Sequence, residues 1–266
     1  MSAPLHRYVF RAPLRLRSAL HIGSGERGDV VDSPVLKDFL HQPFIPGSSL
    51  KGAMRSHLER LLPALGLSTC RLFDPTASCP GADPNGQAAK DLQRRLEPLR
   101  QDAAARHDLI RQSVCPMCQA FGSSFNKARV LFADAPLRNP GLPLVETRDG
   151  VGIDRDSHRA VDGIKYDYEV VSSYAVFDVE ITLEEPDPPT LGIAALGFLE
   201  LARGHIALGG LTSRGLGKVF IDEGEIEVRG LNLADPNLRR EYLKTGRAPL
   251  IPNPIGFLVQ HAEALA

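Results

Sequence analysis

Four cysteines stand out in this sequence because their type and spacing suit metal binding. Cys115 and Cys118 form a C-x2-C knuckle, and Cys70 and Cys79 are separated by eight residues. Four thiolates can hold one zinc ion in a closed tetrahedral site, and a chain without a secretory signal is expected to keep its thiols reduced. We predict a structural zinc site formed by all four residues: Cys70, Cys79, Cys115 and Cys118.

The wide spacing of the first cysteine pair leaves other interpretations open. His57 or His107 could replace one thiolate, or the cysteines are buried thiols and the C-x2-C spacing is incidental. A redox role for Cys115 and Cys118 fits less well, because they do not follow a strand and open a helix as a thioredoxin-like pair does.

A second chemical pattern lies where a helix is expected to begin, after Pro46-Gly47. Ser48 and Ser49 supply hydroxyls and a predicted N-cap, and Lys51 and Arg55 lie four residues apart on one helix face. Helix N-termini favour anions, so we predict a phosphate site here. The alternative is a well-capped helix with two exposed cations.

The third pattern is a glycine-rich loop over residues 209–218, expected between a helix and a strand. Its glycines, including Gly210, let backbone N–H groups approach an anion, with Ser213, Arg214 and Lys218 beside them. The spacing matches neither a P-loop nor a Rossmann turn, because the order is helix, loop, strand. A tight turn without a ligand is the alternative.

The elements that must position these residues alternate between strands and helices. Residues 7–17 alternate as a strand with an apolar face and an arginine face, which is either a nucleic-acid surface or a solvated edge strand. Helices are predicted over 49–62, 88–112 with a break at Pro98, and 191–202, and strands over 128–133, 174–183 and 218–228. The order predicts an α+β fold of the ferredoxin or RNA-recognition-motif type.

Composition excludes several classes of protein. The 266 residues carry 31 basic and 32 acidic side chains, so RNA binding must come from local clusters of charge. Arginine accounts for 24 of the basic residues, and tryptophan is absent, which disfavours a large stacking surface. No apolar run is long enough to span a membrane, and we expect no membrane partner and a cytoplasmic location.

Taken together, these motifs resemble the RAMP superfamily of CRISPR systems, and within it the backbone subunits of type III effector complexes. The resemblance is carried by six segments in order: Leu20 to Gly25, Asp32 to Val35, Phe44 to Gly52, Cys118 to Ser123, Gly152 to Arg155, and Gly209 to Lys218. It implies a modified RNA-recognition fold, stacking of several copies with other effector subunits, and a groove that holds guide RNA.

The resemblance also implies a catalytic carboxylate. The family's aspartate precedes Ser-Pro-Val, which makes it Asp32 here, where it could position magnesium or the attacking 2′-hydroxyl of a target RNA. Glu26 and Asp29 lie in the same loop and are alternatives, and Asp32 could simply be a turn residue. His21, at the end of the first strand, could contact RNA or be a structural histidine.

A single domain over 1–266 is expected, with a cysteine-containing insertion at 68–126 and a thumb region at 144–172. The family uses the thumb to displace a base of the guide–target duplex, which implies RNA contact by Arg155 and packing of Lys165, Tyr166 and Tyr168 against nucleotides. A solvated hairpin is the alternative.

The resulting prediction is a guide-RNA-binding backbone subunit that cleaves target RNA through Asp32. Two alternatives remain at this point. The chain is a non-catalytic RNA-binding subunit of the same complex, or a stand-alone ribonuclease that processes guide precursors. The latter usually relies on histidine and on two copies of the fold, whereas this chain has one.

Overall fold

The computed structural model describes residues 6–28, 31–74, 76, 79–141 and 144–265. Its strands are β1 (His6–Leu16), β2 (Val130–Phe132), β3 (Val145–Ile153), β4 (Ala160–Val171), β5 (Val176–Glu184), β6 (Val219–Ile221) and β7 (Glu227–Asn232). Its α-helices are α1 (Gly47–Leu61), α2 (Gln87–Leu96), α3 (Ala103–Ser113), α4 (Pro116–Phe121), α5 (Pro188–Ala202), α6 (Pro236–Thr245) and α7 (Pro254–Glu263).

The main sheet has β1 at its centre. The strand order is β2-β5-β1-β6, with β7 also paired to β1, and every pairing is antiparallel. Phe10, Ala12 and Leu14 alternate onto the buried face of β1, as the sequence pattern requires. A mixed arrangement of helices and one antiparallel sheet confirms the predicted α+β class.

Helices α1 and α5 cover the apolar face of this sheet. Phe198 of α5 meets Phe10 edge to face with 5.5 Å between ring centroids. Helix α5 is buried on nearly all sides because α1 and α7 also pack against it. Gly197 permits the close approach of α1, since a Cβ there would lie 2.7 Å from the sulfur of Met54.

Two insertions interrupt this core. Helices α2, α3 and α4 lie between α1 and β2, and the hairpin β3–β4 lies between β2 and β5. The break predicted at Pro98 is present as a 3-10 turn over Glu97–Leu99. Helix α4 belongs to the main core as well as to the insertion, because Met117, Ala120 and Phe121 are buried there.

The boundary of α1 differs from the prediction. The helix begins at Gly47, its N-cap is Pro46, and neither serine caps it. Asp134 takes the cap's place by accepting the N–H of Gly47 over 2.8 Å. Gly47 is required because a Cβ would lie 2.4 Å from the carbonyl oxygen of Phe132. A partner distant in sequence therefore replaces the local cap.

The C-terminal segment was only weakly patterned in sequence, yet it forms α6 and α7. Each begins at a proline that follows a capping residue, Asp235 for α6 and Asn253 for α7. None of the helices in the described ranges is long and apolar enough to cross a bilayer.

Candidate functional site

The predicted catalytic aspartate lies against the base of the β3–β4 hairpin. Ser33 forms a parallel bridge with Tyr168 of β4, which aligns the segment around residue 32 along that strand. The N–H of Asp32 donates to Oδ1 of Asp167 over 2.7 Å, and the N–H of Asp167 donates to Oδ2 of Asp32 over 3.2 Å. The carboxylate of Asp32 is thus fixed by β4.

Arg27 donates hydrogen bonds to the second oxygen, Oδ1, of the Asp32 carboxylate. Its Nε and Nη2 donate to Oδ1 of Asp32 over 2.9 and 2.5 Å, and its side chain is 82% exposed. The hydrogen bond from Arg27, followed by that from the N–H of Asp167, lowers the pKa of Asp32 below its ordinary value. Asp32 is therefore ionised at neutral pH. Asp29, the alternative carboxylate, lies outside the described residues, and Glu26 is exposed.

Both ring nitrogens of His21 have hydrogen-bond partners beside the segment that carries Asp32. Nδ1 donates to the carbonyl of Glu169 over 2.7 Å, and Nε2 lies 3.3 Å from the hydroxyl of Ser33. The residue is only 9% exposed. This geometry favours the structural interpretation of His21, as a support for the segment that carries Asp32.

Glu169 of β4 holds the segment that follows Asp32 against this strand. Its carboxylate accepts the N–H of Val35 at 3.0 Å and the ammonium group of Lys37 at 2.9 Å, and its own N–H donates to the carbonyl of Ser33. Segment 33–37 is therefore held at several points along one strand.

The glycine-rich loop closes over this site. The N–H of Gly210 donates to the carbonyl of His21 over 2.8 Å, and a Cβ on Gly209 would lie 2.2 Å from that oxygen. Arg214 donates a hydrogen bond to the hydroxyl of Tyr166 on β4. Ser213, Arg214 and Lys218 are exposed. The loop thus brings Gly210 and Arg214 to the same hairpin base as Asp32.

Tyrosines line this hairpin base. The rings of Tyr166 and Tyr168 are stacked with centroids 6.1 Å apart, and Tyr168 also meets His21 edge to face. Gly150 on β3 makes room, because a Cβ there would lie 2.2 Å from the Tyr166 ring. Arg155 lies far along the hairpin, exposed in the turn that Asp154 closes by accepting the N–H of Ser157 at 2.7 Å.

The start of α1 borders two surface grooves. Ser49 lines one groove of about 470 Å³ together with Gly209 and Thr212. Ser48 and Lys51 line a second groove of about 590 Å³. Burial, and then the charge of the neighbouring Arg55, lower the pKa of Lys51.

Arg55 does not lie where the sequence pattern suggested. It is 7% exposed, and its guanidinium donates to Glu59, to the carbonyl of Gly122 and to the sulfur of Cys118. Burial and the three protein acceptors that take its donors disfavour Arg55 as a phosphate ligand. Helical spacing aligned it with Lys51, but the inserted helix α4 covers it.

The four cysteines meet in one place. Their Sγ atoms all lie within 4.8 Å of one another, with separations of 3.3 Å for Cys70–Cys118, 3.5 Å for Cys70–Cys115 and 3.9 Å for Cys79–Cys118. Hydrogen bonding with the thiols of Cys118 and Cys70 lowers the pKa of Cys115 to about 7. His57 is not part of this cluster, because its Nε2 contacts Glu200 at 2.8 Å. His107 is exposed next to Asp108.

Three arginines on one face of β1 are paired with glutamates, two on β5 and one in the turn before β7. Arg7 pairs with Glu184 at 3.0 Å, Arg11 with Glu180 at 2.6 Å, and Arg15 with Glu225. These pairs favour the solvated interpretation of this face over a nucleic-acid surface.

Sequence reasoning missed Arg27, Asp167 and Glu169. The order Tyr-Asp-Tyr-Glu at 166–169 was a usable signal, since alternation on a strand sends Asp167 and Glu169 to the side opposite the tyrosines. Which segment they would contact depends on the tertiary fold.

Comparison with known proteins identifies the family. A family model described as the RAMP superfamily matches residues 14–219. The chain is 28% identical over 253 residues to the CRISPR system Cms endoribonuclease Csm3 of Streptococcus thermophilus, covering 84% of this chain and 94% of that protein. It is 27% identical over 158 residues to the protein of the same name from Enterococcus italicus, covering 58% of this chain and 65% of that protein. Because the family model matches most of its length, the chain belongs to the RAMP superfamily.

Proposed function

We propose that this chain is a backbone subunit of a type III CRISPR effector complex, which binds guide RNA and cleaves the paired target RNA. Similarity to two endoribonucleases named Csm3 supports this function. The observation that carries it is the fixed carboxylate of Asp32, which accepts hydrogen bonds from Arg27 and from the N–H of Asp167 at the base of the β3–β4 hairpin. The partners are guide RNA, target RNA, further copies of the chain and other effector subunits.

The core is an RNA-recognition-motif (ferredoxin-like) fold within one domain over 1–266. The strand order β2-β5-β1-β6, with α1 after β1 and α5 after β5, supports this assignment. The cysteine lobe at 68–126 and the thumb at 144–172 are its two insertions, and Arg155 acts at the end of the thumb.

Guide RNA runs along the start of α1 and the glycine-rich loop. Half-buried Lys51 and exposed Ser48, Arg214 and Lys218 supply phosphate contacts there. Ser49 and Gly209 line one groove, which supports a continuous track. His21 contributes by holding Gly210 and Ser33 in position. Several cations repeated in stacked copies would compensate for a net charge of -1.

Cleavage depends on what an ionised carboxylate can do beside a phosphodiester. The 2′-hydroxyl of a nucleotide attacks the phosphorus of its own 3′-phosphodiester, and the bond from that phosphorus to the 5′-oxygen of the next nucleotide breaks, which leaves a 2′,3′-cyclic phosphate. The 2′ proton passes to solvent water, and the leaving 5′-oxygen takes a proton from water. Asp32 accepts a hydrogen bond from that hydroxyl and orients it, whereas its low pKa makes it a weak proton acceptor. Arg27 places positive charge beside the phosphate.

A divalent cation, proposed as magnesium, would add positive charge at the phosphate. Asp32 and Asp167 are the residues that would hold it. These two residues supply only two carboxylates. In the described part of the chain, the four cysteines are the one cluster of three or more potential metal ligands, so no third protein ligand lies beside Asp32 and Asp167. Phosphate oxygens and water would have to complete the ligand set, as is usual for magnesium.

Zinc is proposed for the four cysteines, and their geometry fits it. A tetrahedron with Zn–S bonds of about 2.3 Å has edges of about 3.8 Å. The sulfur separations of 3.3, 3.5 and 3.9 Å lie around that value. All donors are thiols, which suits a closed structural site, so no role in cleavage is assigned to this metal.

The test is target-RNA cleavage by the assembled complex with magnesium, comparing wild type with Asp32→Ala at equal RNA binding. Loss of cleavage with binding preserved supports an endoribonuclease with Asp32 in its site. Cleavage that is unchanged in the variant excludes Asp32. A complex that binds target RNA but never cuts it is the scaffold subunit of the alternative proposal.

A further inference from the structure

Arg55 connects the cysteine lobe to the helix that begins beside the proposed RNA groove. It lies on α1, one turn after Lys51, and its guanidinium reaches across to α4 and the residue after it. Nη2 donates to Sγ of Cys118 at 3.5 Å, and Nη1 donates to the carbonyl of Gly122 at 3.3 Å. The carboxylate of Glu59 accepts a third hydrogen bond, from Nε of Arg55, at 2.8 Å.

Burial makes these contacts costly to lose. Arg55 is 7% exposed, and a buried guanidinium requires acceptors for its donors. A four-thiolate zinc site carries net negative charge, and N–H donors to its sulfurs orient the ligands and stabilise that charge. Arg55 is the side chain that supplies such a donor to Cys118 from outside the lobe.

The same residue lines the groove that Lys51 borders. Ser48, Lys51 and Arg55 form its α1 side, and Gly122, Ser123 and Asn126 form the side that follows the cysteine knuckle. Asn126 is itself tied to the knuckle, since its Nδ2 donates to the carbonyl of Cys118 over 2.9 Å. The two walls are thus joined to one cysteine.

We propose that Arg55 is a positioning residue that couples metal occupancy of the cysteine lobe to the shape of the RNA groove at the start of α1. The metal-bound thiolate holds the guanidinium, and the guanidinium holds the two walls at a fixed distance. Loss of the metal leaves Arg55 with a weaker partner at Cys118, so the groove widens and phosphate contacts at Lys51 weaken. The coupling rests on the proposed binding of guide RNA.

The test uses the full chain loaded with zinc and two substitutions at one position. Arg55→Gln removes the charge, and Arg55→Lys keeps the charge but cannot reach three acceptors with a planar fork. Arg94→Gln is the matched control, because Arg94 is an exposed arginine of the same lobe paired with Asp91. Thermal melting establishes that each variant is folded.

Two readouts report on the metal site directly. Zinc release to a chromogenic chelator is expected to be about 10- to 100-fold faster in Arg55→Gln, intermediate in Arg55→Lys and unchanged in Arg94→Gln. In the cobalt-substituted protein, losing the donor to Cys118 is expected to shift the thiolate-to-cobalt charge-transfer band. Unchanged release and an unchanged band in Arg55→Gln would overturn the proposal.

The third readout is affinity for labelled single-stranded guide RNA, measured before and after zinc is removed. Removing zinc from wild type and substituting Arg55→Gln are each expected to lower the affinity for guide RNA. Removing zinc from Arg55→Gln should lower that affinity no further. If removing zinc weakens RNA binding by Arg55→Gln as much as it weakens binding by wild type, the coupling is overturned and Arg55 is a direct RNA contact. Failure of the assembled, zinc-loaded wild-type complex to retain guide RNA would refute the proposed function and the coupling, while the chelator assay would still decide whether Arg55 holds the metal site.

Discussion

Asp32 and Asp167 exchange hydrogen bonds although 135 positions separate them in sequence. Each backbone N–H donates to the other's carboxylate, over 2.7 Å from Asp32 and 3.2 Å from Asp167. The pair fixes the orientation of a side chain that would otherwise lie on an irregular loop. The strand that positions Asp32 is also a strand of the thumb, so the orientation of the carboxylate depends on the placement of the hairpin.

We expect Asp32→Asn to reduce target-RNA cleavage by about 100-fold or more at unchanged RNA affinity, because the amide cannot supply the negative charge. Asp167→Ala is expected to cost about 10- to 100-fold, since it releases the N–H of Asp32 and lets the loop shift. Single-turnover cleavage by assembled complexes measures both effects.

Asp167→Asn separates positioning from charge. The amide oxygen can still accept the N–H of Asp32, so cleavage should stay close to wild type if Asp167 acts only by positioning. A loss as large as that of Asp32→Asn would instead make Asp167 a ligand of the reacting groups. Asp149→Asn is the control, because Asp149 lies exposed on β3 of the same hairpin.

The pH dependence of cleavage should depend on Arg27. The hydrogen bond from Arg27 holds the pKa of Asp32 below its ordinary value, so the carboxylate in wild type stays ionised to lower pH than an unperturbed aspartate does. Arg27→Gln removes that bond, and the pKa of Asp32 should rise. We expect the acidic limb of the rate profile to move to higher pH, with a lower rate on the plateau. An acidic limb at the same pH in both proteins would contradict this role.

Zinc content tests the cysteine site independently of RNA. Protein purified without chelator should contain about one zinc ion per chain, and Cys118→Ser should lower both zinc content and melting temperature. Elemental analysis and thermal melting provide the two measurements. Less than a tenth of a zinc ion per chain in wild type would refute the site.

The apolar patterns predicted the core because a buried sheet face and a buried helix stripe impose a period. Strand β1 and helix α5 follow their predicted patterns closely. The cap of α1 could not be predicted in this way, because Asp134 reaches Gly47 from 87 positions away. The weakly patterned C-terminal segment forms helices whose starts depend on Asp-Pro and Asn-Pro pairs, a local signal that periodicity does not detect.

The candidate site was also predictable from the sequence only in part. Residue types indicated the glycine-rich loop and the cysteines, and the family resemblance indicated Asp32. The tertiary fold brings Asp32 and the loop to one hairpin base. Charge patterns were less reliable, because a single sequence does not reveal ion pairing across strands. The arginines of β1 and the guanidinium of Arg55 resemble RNA ligands until Glu184, Glu180 and Cys118 are found beside them.

Glu200 provides a test of how α1 is held against α5. Its Oε2 lies 2.8 Å from Nε2 of His57 and 3.1 Å from Nδ1 of His205. Burial raises the pKa of this carboxyl, but the hydrogen bonds with the two histidines outweigh that effect and lower it overall. Ionised Glu200 therefore stabilises the fold above its ordinary pKa of 4.5, and the contribution is lost as pH falls through the lower folded-state pKa.

We expect Glu200→Gln to reduce the free energy of unfolding by about 1–3 kcal/mol at neutral pH, with a smaller difference from wild type in acid. Denaturant titrations at several pH values measure this difference. Glu241→Gln is the control, because Glu241 is exposed on α6. A constant difference across the acidic range would show that the charge of Glu200 is not what stabilises the contact.

Salt dependence of guide-RNA binding distinguishes the two arginine-bearing surfaces. Lys51 and Arg214 lie at the start of α1 and in the glycine-rich loop, whereas Arg11 is paired with Glu180 on the sheet. Replacing Lys51 and Arg214 by alanine removes two phosphate contacts, so the slope of log affinity against log salt should become shallower by about 1.4. Arg11→Gln should leave affinity and slope unchanged. If Arg11→Gln flattens the slope and the double variant does not, RNA lies on the open face of the sheet, and its phosphates compete with Glu180 for Arg11.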